Sequence, residues 1–430
     1  MPAQHEYGKT AVSNRRIPLW LDPRKVLIYI LLPVYIAYQF QDYSHYGVKS
    51  YADSEYYIGG FMVLVSLFAG MLCGCWFLDK HNFITIDRFS IETLKLMLMR
   101  SFRVLMFLTL AGYLIWFMPV FLDPQKIVTM FSEHAYNIRG SVSTIPGVST
   151  LTQFGPVLSI NIALLNGFKL LKKKRHRFYI LLFILLVLMR TVLWSERLAL
   201  LEIIIPYVVA YYPFVRASSC LQWWYRKGAI LLIPAVILLF GIFEYFRSWN
   251  FYKDSYDSYL SFLLQRFSAY YSISINNGIG FLEEYNEWPY FIGAYSFDFL
   301  YKLPFFNFFR NEYERIAESY GTFLYLFARP EYTNQTALFS IVADFGFLIS
   351  SMLYFVYGTV LGALFVGYRR QALFAIFIFP VGILSLYEIF RISYLSTSRS
   401  TYVIIGIIYL YINGTLFIRG LRRKSAISRI

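Results

Sequence analysis

Ten apolar runs, separated by short and mostly basic connections, organise this 430-residue chain. A membrane-spanning helix needs about 20 apolar residues. Runs near that length lie at about 26–41, 57–78, 103–122, 150–168, 178–194, 198–215, 228–246, 336–370, 371–389 and 401–418. The eighth is some 33 residues long, too long for one upright helix. A tilt, or a re-entrant first part around Asp344-Phe345-Gly346, accommodates it. The first ~25 residues are polar and basic, and no small-residue cleavage site follows the first run, so that run is expected to stay as an anchor. The expected fold is an all-α polytopic membrane protein of about ten transmembrane helices, one integral membrane domain over residues 1–430.

The longest break in the pattern is the segment 247–335. It is rich in Tyr, Phe, Trp and Ile, and YLSFLLQRFSAYYSI within it has helix-like spacing. A loop of this size in a compact protein is usually functional. It is expected to form short helices along the membrane surface, roofing a cavity.

Composition supports the membrane reading. Hydrophobic residues make up 58% of the chain and charged ones 15%, against about a quarter charged in ordinary soluble domains. Aromatics reach 20%; interfacial belts and helix packing account for most of them, and sugar-stacking walls are the other use. The net charge of +15 suggests nucleic acid at first sight, but most of the excess falls in short loops on one side of the bilayer. Cys73, Cys75 and Cys220 fall in a run or an inner loop, with no second half of a metal site, and read as structural.

The side on which the charges fall changes the picture most. The run KLLKKKRHR at 169–177 marks the inner face, and both termini then lie inside. Inner segments hold 26 of the 40 Lys and Arg, outer segments 13, and Arg190 lies within a span. Outer loops normally shed positive charge. Nine of the thirteen outer cations are Arg, whose planar fork of donors suits phosphate. The pattern therefore points to a phosphate-bearing substrate at the outer face.

Five stretches are candidates for the chemistry. In LMRTVLWSERLALLE, Arg190 ends one run and Arg197 heads the next, with Glu196 and Glu202 beside them. The plainer reading is a structural pair of Arg190 with Glu202 or Glu244; the functional one puts phosphate on Arg197 at a helix start. Arg247 and Arg266 fall at headgroup depth and serve either anionic lipid or a lipid diphosphate. Arg139 precedes the Gly-, Pro- and Ser-bearing loop SVSTIPGVSTLTQFG, an ordinary loop or a cavity mouth. In TNQTALFSIVADFGFL, Asn334, Gln335 and Thr336 make a polar helix start. Asn334 is the candidate cap, and Asn334 and Thr336 are candidate substrate contacts. Asp344 follows in apolar surroundings, as a structural acid paired with Arg or as a base. The short loop YEIFRISYLSTSRS carries Glu388, Arg391, Tyr394 and Arg399, of which Arg391 is the cavity candidate.

No phosphate-binding Gly-rich loop, no G-x-S-x-G elbow and no outer D-x-D pair stands in the chain. His45 and His134, the outward histidines, belong to no metal-like cluster. No metal and no cofactor are therefore expected.

In topology, and more closely in RTVLWSERLALLE, FEYFRSWN through LLQRFSAYY, and TNQTALFSIVADFGFLIS, the chain resembles the Wzy-type polymerases of O-antigen and other oligosaccharide repeat units. The resemblance implies a GT-C-like helical fold in the bacterial inner membrane, with the active site facing the periplasm. It implies transfer of a growing glycan from undecaprenyl diphosphate to an incoming lipid-linked repeat unit. The partners implied are that oligosaccharide lipid, membrane lipids and a chain-length regulator, with no nucleic acid. The family's outer-loop arginines correspond by position to Arg197, Arg247 and Arg266, then Arg139 and Arg391. Glu196 and Asp344 are the candidates to orient or deprotonate the attacking sugar hydroxyl. Two alternatives remain. One is a secondary transporter or lipid-linked-sugar flippase, against which stands the lack of an internal repeat. The other is an O-antigen ligase of the same fold, whose outer-face His has no match here.

Overall fold

The structure is a computed structural model. It describes residues 17–427 except 44–46, 80–82, 87–88, 124, 126–146, 194–195, 216–219, 286–287, 291–292, 302–309 and 329–331, and omits some side chains within helices, Arg247 among them. Arg139, and with it the first half of the loop before residue 147, lies outside the described residues.

All ten apolar runs are helical. A helix α1 covers 23–37 with a π-turn at Leu27–Leu31. Then come α2 (Tyr56–Leu78), α3 (Ile91–Leu122), α4 (Gly155–Gly167), α5 (Lys174–Leu193), α6 (Arg197–Tyr211) and α7 (Cys220–Glu244). The segment 247–335 contributes two longer helices, α8 (Tyr259–Glu284) and α9 (Arg310–Phe327), besides short turns such as Asn250–Tyr252 and Asp298–Tyr301. The chain closes with α10 (Ala337–Arg369), α11 (Leu373–Tyr387) and α12 (Ser398–Ile427). Among the described residues there is no strand, only a lone bridge between Thr85 and Ala372. Among the described residues, four helical stretches, Tyr56–Leu78, Ile91–Leu122, Arg197–Phe214 and Ala337–Arg369, are long and apolar enough to cross a membrane.

Helices that are apolar all round belong in a core, and α4 and α11 lie there, buried on nearly every face. Outer helices leave large apolar side chains bare: Trp76, Phe107 and Leu348 are 70% or more exposed. Water disfavours such a surface, and a lipid bilayer covers it.

Between membrane helices the hydrophobic effect supplies little attraction, so close backbone contact matters. The pair α2 and α10 makes such contact. Gly70 and Gly74 on α2 face Gly358 and Gly362 on α10, each spaced by four. A Cβ at Gly70 would collide with the Phe355 carbonyl, at Gly74 with that of Thr359, and at Gly358 and Gly362 with those of Leu67 and Met71. Buried polar side chains tie other helices. Asn161 donates to the Leu98 carbonyl at 3.2 Å, and Asn413 to Ser101 Oγ at 2.8 Å.

Of the two expectations for the long eighth run, tilt or a break around Asp344-Phe345-Gly346, the structure has the break. Gly346 leaves helical geometry (φ 74°, ψ 169°), splitting α10 into a short first part and a longer second part. Only Gly adopts this backbone at low cost.

The segment 247–335 differs from expectation. Instead of short surface helices alone, it contains the 26-residue α8, in which every residue from Ser272 to Leu282 is buried. Its small and polar stretch SISINNGIG lets neighbours approach; Gly278 meets Phe339 and Gly280 meets Tyr51. The segment is thus part of the bundle.

Candidate functional site

At the end of the bundle where α5 meets α6 and α7 meets the segment 247–335, arginines gather. Arg197, the first residue of α6, pairs with Glu244 at the end of α7. Arg266 on α8 approaches the other oxygen of the same carboxylate, Nε to Oε2 3.6 Å. Arg391, in the loop after α11, pairs with Glu388 at 2.7 Å. The Tyr270 ring joins these groups: the Arg391 guanidinium lies 5.1 Å from its centroid and that of Arg197 5.9 Å. Arg266 also donates to the Tyr332 hydroxyl and sits 4.8 Å from the Tyr252 ring. Three of the five arginines chosen from sequence therefore share one site. The backbone of Arg247 enters the π-turn Tyr245–Trp249 next to Glu244; its side chain is outside the described residues.

One turn away lies a second group. Arg190 is 3% exposed and binds Glu196 through Nε at 2.6 Å. Its guanidinium sits 5.1 Å from the Trp116 ring, and the Gln153 oxygen, in the orientation its neighbours dictate, accepts from it at 3.0 and 3.2 Å. The other Glu196 oxygen pairs with Arg399, which also faces Glu202 at 3.8 Å. The structural partner of Arg190 is thus Glu196, rather than Glu202 or Glu244.

Five guanidiniums and four carboxylates meet here. Nearly balanced charge makes their burial tolerable, because an unpaired buried ion costs several kcal/mol. Burial by itself raises the Glu196 carboxyl, but Arg190 and Arg399 more than offset this and hold it down at about 2. It is a fixed anion. For Arg391, burial works against the charge and Glu388 more than restores it. Its Nε is buried without a partner among the described residues, so one donor is unspent.

Asp344 stands apart. It is fully buried and accepts from the backbone N–H of Ser296 at 2.6 Å and of Tyr295 at 3.1 and 3.2 Å. No Arg meets it among the hydrogen bonds and ion pairs of the described residues; the expected Arg pairing is replaced by backbone donors. Beside it, Tyr290 N donates to the Ala343 carbonyl at 3.2 Å. Asp344 therefore pins the loop between α8 and α9 onto the Gly346 break. Thr336 is the cap of α10, accepting from Phe339 N at 3.1 Å, a role expected of Asn334. Its side chain is fully buried and committed to the helix. The Asn334 carbonyl accepts from Asn277 at 3.4 Å, and its side chain is half-buried.

A cavity of about 280 Å³ opens between this pinned loop, α9, the start of α10 and the loop 392–397. That last loop is bracketed by Arg391 and Arg399, so the cavity and the arginine groups share a wall. Tyr270, Tyr332 and Arg399 are site members that the sequence pattern does not single out. Arg399 lay in a loop already marked; the two tyrosines were hidden among the chain's 38.

Comparison with protein-family models, curated proteins and solved structures finds no match.

Proposed function

We propose that the protein polymerises lipid-linked oligosaccharide repeat units, as the Wzy-type polymerases do. One observation carries the reading: Arg197, Arg266 and Arg391 converge on Glu244 and the Tyr270 ring, with Arg190 and Arg399 a turn away. In this reading the ten apolar runs cross a bacterial inner membrane in a GT-C-like arrangement, and the site opens to the periplasm.

The arginines hold the diphosphate that links the growing glycan to its undecaprenyl lipid. A hydroxyl oxygen of the incoming unit attacks the anomeric carbon, the bond from that carbon to the diphosphate oxygen breaks, and the hydroxyl proton passes to the departing diphosphate. Negative charge grows on the leaving diphosphate as that bond breaks, and fixed cations in a water-poor site stabilise it. The glutamates that pair the arginines before substrate arrives are the groups a diphosphate displaces. We assign Glu196, held as an anion by its two arginines, to positioning Arg190 and Arg399, and Asp344, which accepts from the backbone of Tyr295 and Ser296, to positioning the loop. A chain-length regulator is the expected protein partner.

Alanine at Arg197, Arg266 or Arg391 is expected to abolish long polymer in a deletion strain complemented with each variant, read as a polysaccharide ladder on a gel with protein level checked by immunoblot. Wild-type ladders from all three variants would sink the proposal. Single repeat units should still reach the outer face; their absence would instead favour a flippase.

A further inference from the structure

The cavity beside the arginines differs from them in kind. Among the described residues, no carboxylate and no cation lines it. Its walls carry hydroxyls, one amide and aromatic rings, including Ser340, Ser396, Thr397, Gln335, Tyr295 and Tyr320.

The hydrogen bonds already made decide what those groups still offer. Ser340 donates to the Thr336 carbonyl at 2.8 Å, Thr397 to the Tyr394 carbonyl at 3.1 Å, and Ser396 to that of Ser393 at 3.1 Å. Each hydroxyl has spent its proton on backbone and retains acceptor capacity. Tyr295 and Tyr320 likewise donate to the carbonyls of Ile316 and Thr333, which fixes their rings. The Gln335 amide nitrogen is buried at the wall with no partner among the described residues, an unspent donor. A wall of hydroxyls largely committed to backbone, an unspent amide donor and fixed aromatic faces suits a ligand that carries many hydroxyl groups on an apolar ring skeleton. The volume of about 280 Å³ lies just below that of most ligand pockets, roughly 300–1,000 Å³, and matches a single ring.

We propose that this cavity is a subsite for one uncharged sugar ring, and that the site selects against uronic acids and amino sugars there. The assignment rests on the reading above, in which the neighbouring arginines hold the diphosphate of the same substrate. The neutral lining supplies the selectivity: a charged sugar would lose its hydration with no opposite charge in the cavity wall, among the described residues, to meet it.

The test uses the full chain in detergent micelles and two probes: pyrophosphate for the arginines, and methyl glycosides for the cavity, neutral hexosides against methyl glucuronoside and a methyl aminoglycoside. Binding is followed by calorimetry and by saturation transfer from protein to sugar. Ala317 lines the cavity from the exposed face of α9, so Ala317→Trp fills the space without disturbing the core. Gln335→Leu removes the donor at similar size. Both variants are expected to weaken neutral-sugar binding about tenfold or more, the worth of one or two hydrogen bonds, and to leave pyrophosphate binding unchanged. Thermal melting checks that each is folded. Pyrophosphate bound with neutral sugars unbound, or sugars held equally well by Ala317→Trp, overturns the subsite alone. Equal binding of charged and neutral glycosides overturns the selectivity. Sugars bound with pyrophosphate unbound overturns the diphosphate reading and leaves the subsite standing.

Discussion

The glycine seam between α2 and α10 and the arginine network at the site end both place polar groups where water is scarce. They do it by opposite means. In the seam, two backbones touch directly, and every peptide group is already satisfied within its own helix. Nothing there has a second arrangement. In the network, side-chain charges satisfy one another across α5, α6, α7, α8 and the loop after α11. A glutamate on an arginine occupies the place another anion can take. One region is rigid because it lacks side chains, and the other can exchange partners because it is made of them.

The largest effect is expected from breaking the rigid member. Gly74→Leu drives a side chain into the Thr359 carbonyl, with Gly70 and Gly362 leaving no room to shift. The expected outcome is loss of folded protein, seen as an aggregated peak in detergent size-exclusion chromatography; a monodisperse variant with wild-type melting would contradict the seam. The exchangeable member should respond differently. Glu244→Gln leaves Arg197 and Arg266 without their shared carboxylate, a change worth about 3 kcal/mol or more in stability. Added pyrophosphate should restore most of the lost melting temperature and bind more tightly than to the wild type. If pyrophosphate binds the variant no better, the glutamate is not a place-holder for the substrate anion. The smallest effect belongs to the loop that Asp344 holds beside the Gly346 break. Asp344→Asn keeps the size but turns an amide toward the backbone donors of Tyr295 and Ser296, at a cost of about 1–3 kcal/mol. Faster proteolysis within the loop before α9 is the readout, and unchanged cleavage would remove Asp344 from that role.

Acid sharpens the same contrast. The Glu196 carboxyl is held below its ordinary value, so its stabilising contribution is complete above an ordinary carboxyl pKa and is lost as pH falls toward about 2. Between about pH 5 and 8 this group therefore contributes no pH dependence.

Much of the fold was legible from one-dimensional pattern. Apolar runs of spanning length must satisfy their own backbones, which makes them helices wherever they pack. The eighth run was too long for one straight helix, and Gly346 was the residue able to break it. The arginines stood out because the basic run at 169–177 predicts that they fall on the side where loops normally shed charge. The segment 247–335 was misjudged because the burial of α8 depends on Phe339 and Tyr51, far away in the chain, meeting its glycines.

Sequence by itself therefore determined the helical elements, the place where α10 could break and the stretches where arginines concentrate, since each follows from local periodicity, backbone freedom or charge. Only the tertiary structure decided which carboxylate meets which arginine, that Asp344 binds a loop rather than a cation, and that an uncharged cavity adjoins the charged site. Those outcomes depend on distances between residues up to hundreds of positions apart, and no local pattern encodes such distances.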